Sequence, residues 1–85
     1  MKLSFGSWRL KYKMNGFTII FQPAEEGGFT AYIPEVPGVI SEGETRDEAR
    51  KMVIEALQEM LEYRRDLALQ SRPTGSTYES LVLTA

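Results

Sequence analysis

Cysteine and histidine are both missing from this chain of 85 residues. Without cysteine there are no disulfides, no thiolate zinc sites and no thiol nucleophile. Without histidine the commonest acid–base group of catalysis is gone as well. A cysteine-free chain fits a reducing compartment. No run approaches the ~20 apolar residues of a membrane span, and the opening residues Met1 to Gly6 lack the apolar core of a signal peptide. A cytoplasmic location without membrane contact is the expectation. Ser41, Ser71, Ser76 and Ser80 have no histidine base to activate them. Gly27-Gly28 is not a phosphate cradle, since no helix follows it and no lysine stands in the required place. Carboxylates remain, as Glu25-Glu26, Glu42 with Glu44, and Asp47-Glu48. A metal-dependent hydrolase needs several of them converging on an open coordination site. Here they fall in turns or on an exposed helix face, where acids are ordinarily solvated. The expectation is a protein that is not an enzyme, with no catalytic residues, no metal and no cofactor.

What is present is one small domain, able to bury about 60–65% of its unfolded surface, so its stability is modest or shared with a partner. The formal net charge of −2 hides a strong asymmetry. Residues 1–14 carry Lys2, Arg9, Lys11 and Lys13 and no acid, a charge of +4. Residues 15–62 carry ten acids against Arg46, Arg50 and Lys51, a charge of −7. An acidic body disfavours phosphate backbones and favours a basic partner.

Taken in order, residues 1–7 show no strand or helix pattern and are expected to be loose. Trp8, Leu10, Tyr12 and Met14 alternate with Arg9, Lys11 and Lys13, the period of a half-buried strand. Asn15-Gly16 signals a hairpin, with Phe17 to Gln22 as the return strand. The basic face of Trp8–Met14 reads as a lysine-blunted sheet edge. A nucleic-acid stripe is its rival, but four charges are few. Pro23 to Gly28 make a turn, Phe29 to Ile33 a strand and Val39 to Glu42 a shorter one. Between the last two, Pro34 ends pairing and Pro37-Gly38 turns the chain. Thr45 with Glu48 is a capping box for the only long helix, Arg46 to about Gln70. Its stripe runs Ala49, Met52, Val53, Ala56, Leu57, Met60, Leu61, Arg64, Leu67, Ala68. Asp47 and Glu48 at its start, and Arg64 and Arg65 near its end, suit the helix dipole. Ser71 to Ser76 form a loop, and Tyr78 to Leu83 have the length and β-branched content of a last strand, which must pair within the chain or on a neighbour. The fold class is α+β: an antiparallel sheet of about five strands in β-β-β-β-α-β order, with one long helix packed on one face. Residues 8–44 form the meander, 45–70 the helix, 71–77 the loop and 78–83 the C-terminal strand.

Around Tyr32 to Ala49 the chain resembles the HicB-type antitoxin family. The likeness is carried by Gly27-Gly28-Phe29, by Ala31-Tyr32-Ile33-Pro34-Glu35-Val36-Pro37-Gly38, and by Gly43, Thr45 and Glu48-Ala49. It covers about residues 16–69. Many family members have cysteine after the Pro-Gly where this chain has Val39, a residue suited to burial. The resemblance implies a degenerate ribonuclease H-like core and a toxin–antitoxin role. The partner it implies is a small basic HicA-type toxin that cleaves RNA, whose active surface the acidic body would cover. Longer members append a DNA-binding domain. About fifteen residues follow the helix here, so direct operator-DNA binding is not expected.

The residues expected to contact such a partner are the acids flanking the turns, Glu25, Glu26, Glu35, Glu42 and Glu44, with Tyr32 as an aromatic anchor. The small core and the C-terminal strand favour a homodimer or higher homo-oligomer. The alternative function is an orphan self-assembling module without a toxin.

Overall fold

Prolines and glycines set where this backbone turns, and a sheet forms between the turns. The computed structural model describes residues 16–82. Along them run β1 (Ile20–Pro23), β2 (Phe29–Tyr32), β3 (Ile40–Gly43) and α1 (Arg46–Gln70). The strands make one antiparallel sheet in the order β1-β2-β3. Its register places Phe21 opposite Ala31 and Ala31 opposite Ser41, with Ile20, Tyr32 and Ile40 forming the neighbouring row. Because side chains alternate along a strand, these two rows lie on opposite faces. The Ala31 face is covered by α1, which packs across β3 and, less closely, β2. The Ile20–Tyr32–Ile40 face carries no helix among the described residues.

The turn of residues 33–39 explains the Pro-Glu-Val-Pro-Gly-Val spelling. Val36 N–H donates to the Ile33 carbonyl at 3.1 Å and Val39 N–H to the Val36 carbonyl at 3.2 Å, while Ile33 N–H closes the whole turn on the Val39 carbonyl at 3.1 Å. Two consecutive turns thus leave the prolines and Glu35 outside and drop Val36 and Val39 into the core. There they join Ala31, Ile33, Ala49 and Val53, with Ile19, Phe21, Phe29, Ala56, Leu57 and Met60 packed around them.

The helix has the bounds its caps dictate. Thr45 Oγ1 accepts the Glu48 N–H at 3.0 Å, and Glu48 Oε1 accepts the Glu44 N–H at 2.7 Å. The glutamate therefore reaches one residue further back than the reciprocal box predicts. At the other end the last turn holds no basic residue, which corrects the expectation for Arg64 and Arg65. Arg64 instead donates to the Pro37 carbonyl at 3.2 Å, and Arg72, beyond the helix, takes the Leu69 carbonyl at 2.7 Å.

The sheet has three strands among the described residues, not about five. The Trp8–Met14 strand lies outside the described residues. The return strand begins at Ile20 rather than Phe17, since the Thr18 N–H goes to Glu35 instead of a neighbouring strand. The C-terminal strand expected at Tyr78–Leu83 is not formed over its described part: Tyr78 to Val82 carry no strand and lie exposed. Propensity and alternation were sufficient for a strand, but a strand also needs a partner ladder. The helical stripe also shortens. Leu61 and Leu67 are exposed, because four-residue strands cover roughly 13 Å of a helix about 37 Å long. Met52 is also exposed, although it lies in the part of the helix over β3.

Candidate partner-binding surface

Antiparallel pairing brings the β1–β2 turn, the end of β3 and the start of α1 to one end of the sheet. The turn closes with Gly27 N–H on the Ala24 carbonyl at 3.1 Å and Ala24 N–H on the Gly28 carbonyl at 3.0 Å. At this end an open concavity of about 350 Å³ is lined by Glu26, Glu42, Glu44 and Glu48 over a floor that includes Phe29, Thr30 and Gly43. Glu25 is exposed in the same turn. Three of the acids expected to bind a partner, Glu26, Glu42 and Glu44, are therefore assembled by tertiary structure from separate elements. Glu48 joins them, although sequence reasoning saw only its capping duty. Its place three residues into the helix, beside the strand end, was the available signal. Arg46, the nearest base in sequence, lies over the Phe21 ring at 4.2 Å. Among the described residues no three acids are grouped so as to hold a metal ion. The concavity suits cationic side chains approaching from outside.

The other two expected residues lie elsewhere. Glu35 sits in the turn at the far end of the sheet. Its carboxylate accepts the Thr18 N–H at 3.0 and 3.2 Å and the Thr18 hydroxyl at 2.7 Å. The Thr18 hydroxyl first, and its N–H second, hold the Glu35 carboxyl below the ordinary glutamate range. This acid ties the turn to the chain entering β1. Tyr32, half-buried, stands between Ile20 and Ile40 on the uncovered face. It borders a mainly apolar concavity of about 420 Å³ with Pro34, Pro37, Gly38 and Ile40. The molecule thus has an acidic end and an apolar end, separated by the length of the short strands.

Among known proteins, the chain is 32% identical over 66 residues to the UPF0150 protein ssl0738 of Synechocystis sp., a match covering 78% of this chain and 92% of that protein. It is 33% identical over 57 residues to Antitoxin HicB 1 of Photorhabdus laumondii, covering 67% of this chain and 37% of that protein. The chain thus spans little more than a third of that antitoxin. No family model matches the chain, and no solved structure matches it.

Proposed function

We propose that this chain, which belongs to the HicB-type antitoxin family, binds and neutralises a small basic HicA-type toxin that cleaves RNA. The observation carrying this reading is the acidic end, where Glu26, Glu42, Glu44 and Glu48 converge on one concavity within a body of charge −7. A toxin that grips RNA must present cationic side chains, and a protein that occupies them with carboxylates competes with phosphate at the same groups. Inhibition here is by occupation, without a chemical step by the antitoxin. Glu25 adds charge at the rim. Glu35 and Tyr32 are left out of the contact set because both lie at the opposite end of the sheet from this concavity.

Binding to a HicA-type toxin tests the reading. Affinity should fall steeply as salt rises. Glu26→Lys with Glu42→Lys should weaken it by more than tenfold and abolish rescue of cells expressing the toxin. Unchanged affinity and salt dependence in that double variant would remove the acidic end from the interface.

The second reading, a self-assembling module without a toxin, draws on the exposed apolar residues Ile40, Tyr63, Leu67, Tyr78, Leu81 and Val82. Recovery of this protein from its source cells with no basic partner would favour it. No helix among the described residues is long and apolar enough to cross a membrane. We place the protein in the cytoplasm, where an RNA-cleaving target would act.

A further inference from the structure

We propose that residues Trp8–Met14 of this chain add as a fourth strand to the free edge of β1, with Leu10 opposite Phe21 and Tyr12 opposite Ile19. The occupant is the chain's own segment ahead of Gly16, and the inference does not rest on the toxin reading.

The hydrogen bonds around β1 show which of its backbone groups lack a strand. Ala24 N–H donates to the Gly28 carbonyl at 3.0 Å, and these two positions continue the β1–β2 register. Backbone groups along an antiparallel strand point alternately to one side and the other. Gln22 and Ile20 therefore face β2, and so does Thr18, whose N–H meets the Glu35 carboxylate at 3.0 Å. The next strand agrees. Ile33 N–H donates to the Val39 carbonyl, so Ala31 and Phe29 face β3 while Tyr32 and Thr30 face β1. By the same alternation the N–H and C=O groups of Ile19 and Phe21 point away from β2. β1 stands at one end of the sheet order, so no strand among the described residues receives them. Pro23, which has no N–H to offer, falls in the same outward series.

The side chains of this margin are bare as well. Phe17, Ile19 and Phe21 follow at two-residue spacing on the α1 side of the sheet, Phe17 50% exposed and the others half-buried. The helix packs across β3 and, less closely, β2. Over the Phe21 ring lies Arg46, at 4.2 Å, in place of apolar cover.

Asn15-Gly16 fits the segment to this edge in one register. A two-residue loop closes with the Phe17 N–H on the Met14 carbonyl. Alternation then points Ile19 and Phe21 at the incoming strand, which is the direction the structure leaves open. Opposite residues share a face of the sheet. Met14, Tyr12 and Leu10 thus come beside Phe17, Ile19 and Phe21, an apolar row against a bare apolar row. Lys13, Lys11 and Arg9 come beside Thr18, Ile20 and Gln22, on the face without a helix. Lysines on the outermost strand discourage further pairing with other chains. The acidic concavity is the rival seat for so basic a segment, but there Trp8, Leu10, Tyr12 and Met14 would stay in water. A strand from a second copy could use the edge only at the entropic cost of association, which a two-residue loop avoids.

Cysteine pairs in the full chain test this, because the chain has no cysteine of its own. Arg9→Cys with Gln22→Cys occupies a close cross-strand pair and should oxidise to a covalent monomer. Leu10→Cys with Gln22→Cys puts the thiols on opposite faces and should close more than tenfold more slowly. Equal rates for the two pairs, or a disulfide-linked dimer, would overturn the proposal. So would faster closure of Lys11→Cys with Glu26→Cys, which would seat the segment in the acidic concavity. Amide hydrogen exchange gives a second readout without cysteines. The Phe21 amide should be protected in the wild type, and Leu10→Asp with Tyr12→Asp should speed its exchange more than tenfold while the Val53 amide keeps its rate. An unprotected Phe21 amide in the wild type would overturn the proposal. None of these measurements uses a toxin, so their failure leaves the antitoxin reading intact.

Discussion

Gly43 is constrained by what lies above it rather than by an unusual backbone angle. A Cβ there would run into the backbone of Ala49 and come within 2.8 Å of the Glu48 carbonyl carbon. The first turn of α1 can pack on the end of β3 only over a hydrogen, which gives the Gly-x-Thr spelling before the helix its physical cause. Gly43→Ala must push helix and strand apart, and a cost of about 1–3 kcal/mol is expected, read from urea denaturation. Gly28 is constrained twice over: its φ is +82°, and a Cβ would meet the Gly43 carbonyl oxygen at 2.7 Å. Glu35 carries a different kind of constraint. Its carboxyl titrates below the ordinary glutamate range because Thr18 hydrogen-bonds the charged form. A depressed folded-state value stabilises the fold above the unfolded-state pKa, and that contribution disappears as pH falls through the folded-state value. Glu35→Gln should therefore be less stable than wild type at neutral pH, with the difference shrinking on acidification below the glutamate range. Denaturation midpoints across pH measure this, and a difference independent of pH would show that the carboxylate charge plays no part. Sequence placed Glu35 in a turn correctly, but Thr18 is seventeen positions away, and nothing local connects the two.

At the scale of elements, the helix was the most legible part of the chain. Its bounds follow from Thr45 and Glu48 at the start and from Ser71, whose N–H reaches the Leu67 carbonyl at 3.1 Å, at the end. Thr45→Ala removes the acceptor for the Glu48 N–H and should cost about 1 kcal/mol of stability. A serine at the same place should restore most of it, and thermal melts of the two variants would separate the hydrogen bond from other effects of the site. The turns were equally legible, since proline and glycine act through local dihedral limits. Strand lengths were not. Phe17 to Ile19 read as strand by composition, yet Thr18 is engaged by Glu35. Tyr78 to Val82 read as strand by the same rule, yet no ladder within the described residues receives it. In both places the missing information was a partner, and strand formation depends on one in a way that helix formation does not.

At the scale of the molecule, the separation of charge from apolar surface has functional weight. Under the proposed reading, salt-dependent capture of a basic protein belongs to the acidic end, so substitutions at the exposed apolar residues Ile40 and Tyr63 should leave it unchanged. The family itself shows in the sequence, since the residues that carry it are the ones that build the double turn and the helix junction. Those motifs serve packing: Val36, Val39 and Ala49 are buried, and Gly43 lies beneath the helix. What the amino-acid order alone determined was thus the turns, the helix with its N-cap, the alternation that separates the two faces of each strand, and the acidic excess of the body. All of these arise from interactions between residues close in the chain or from simple addition of charge. Only the tertiary structure decided that Glu26, Glu42, Glu44 and Glu48 share one concavity, that Tyr32 stands apart from them, that Glu35 holds Thr18, and that residues 78–82 carry no strand among the described residues. Those outcomes depend on the register of antiparallel pairs and on how far a short sheet reaches along a long helix, and both are set by contacts between distant parts of the chain.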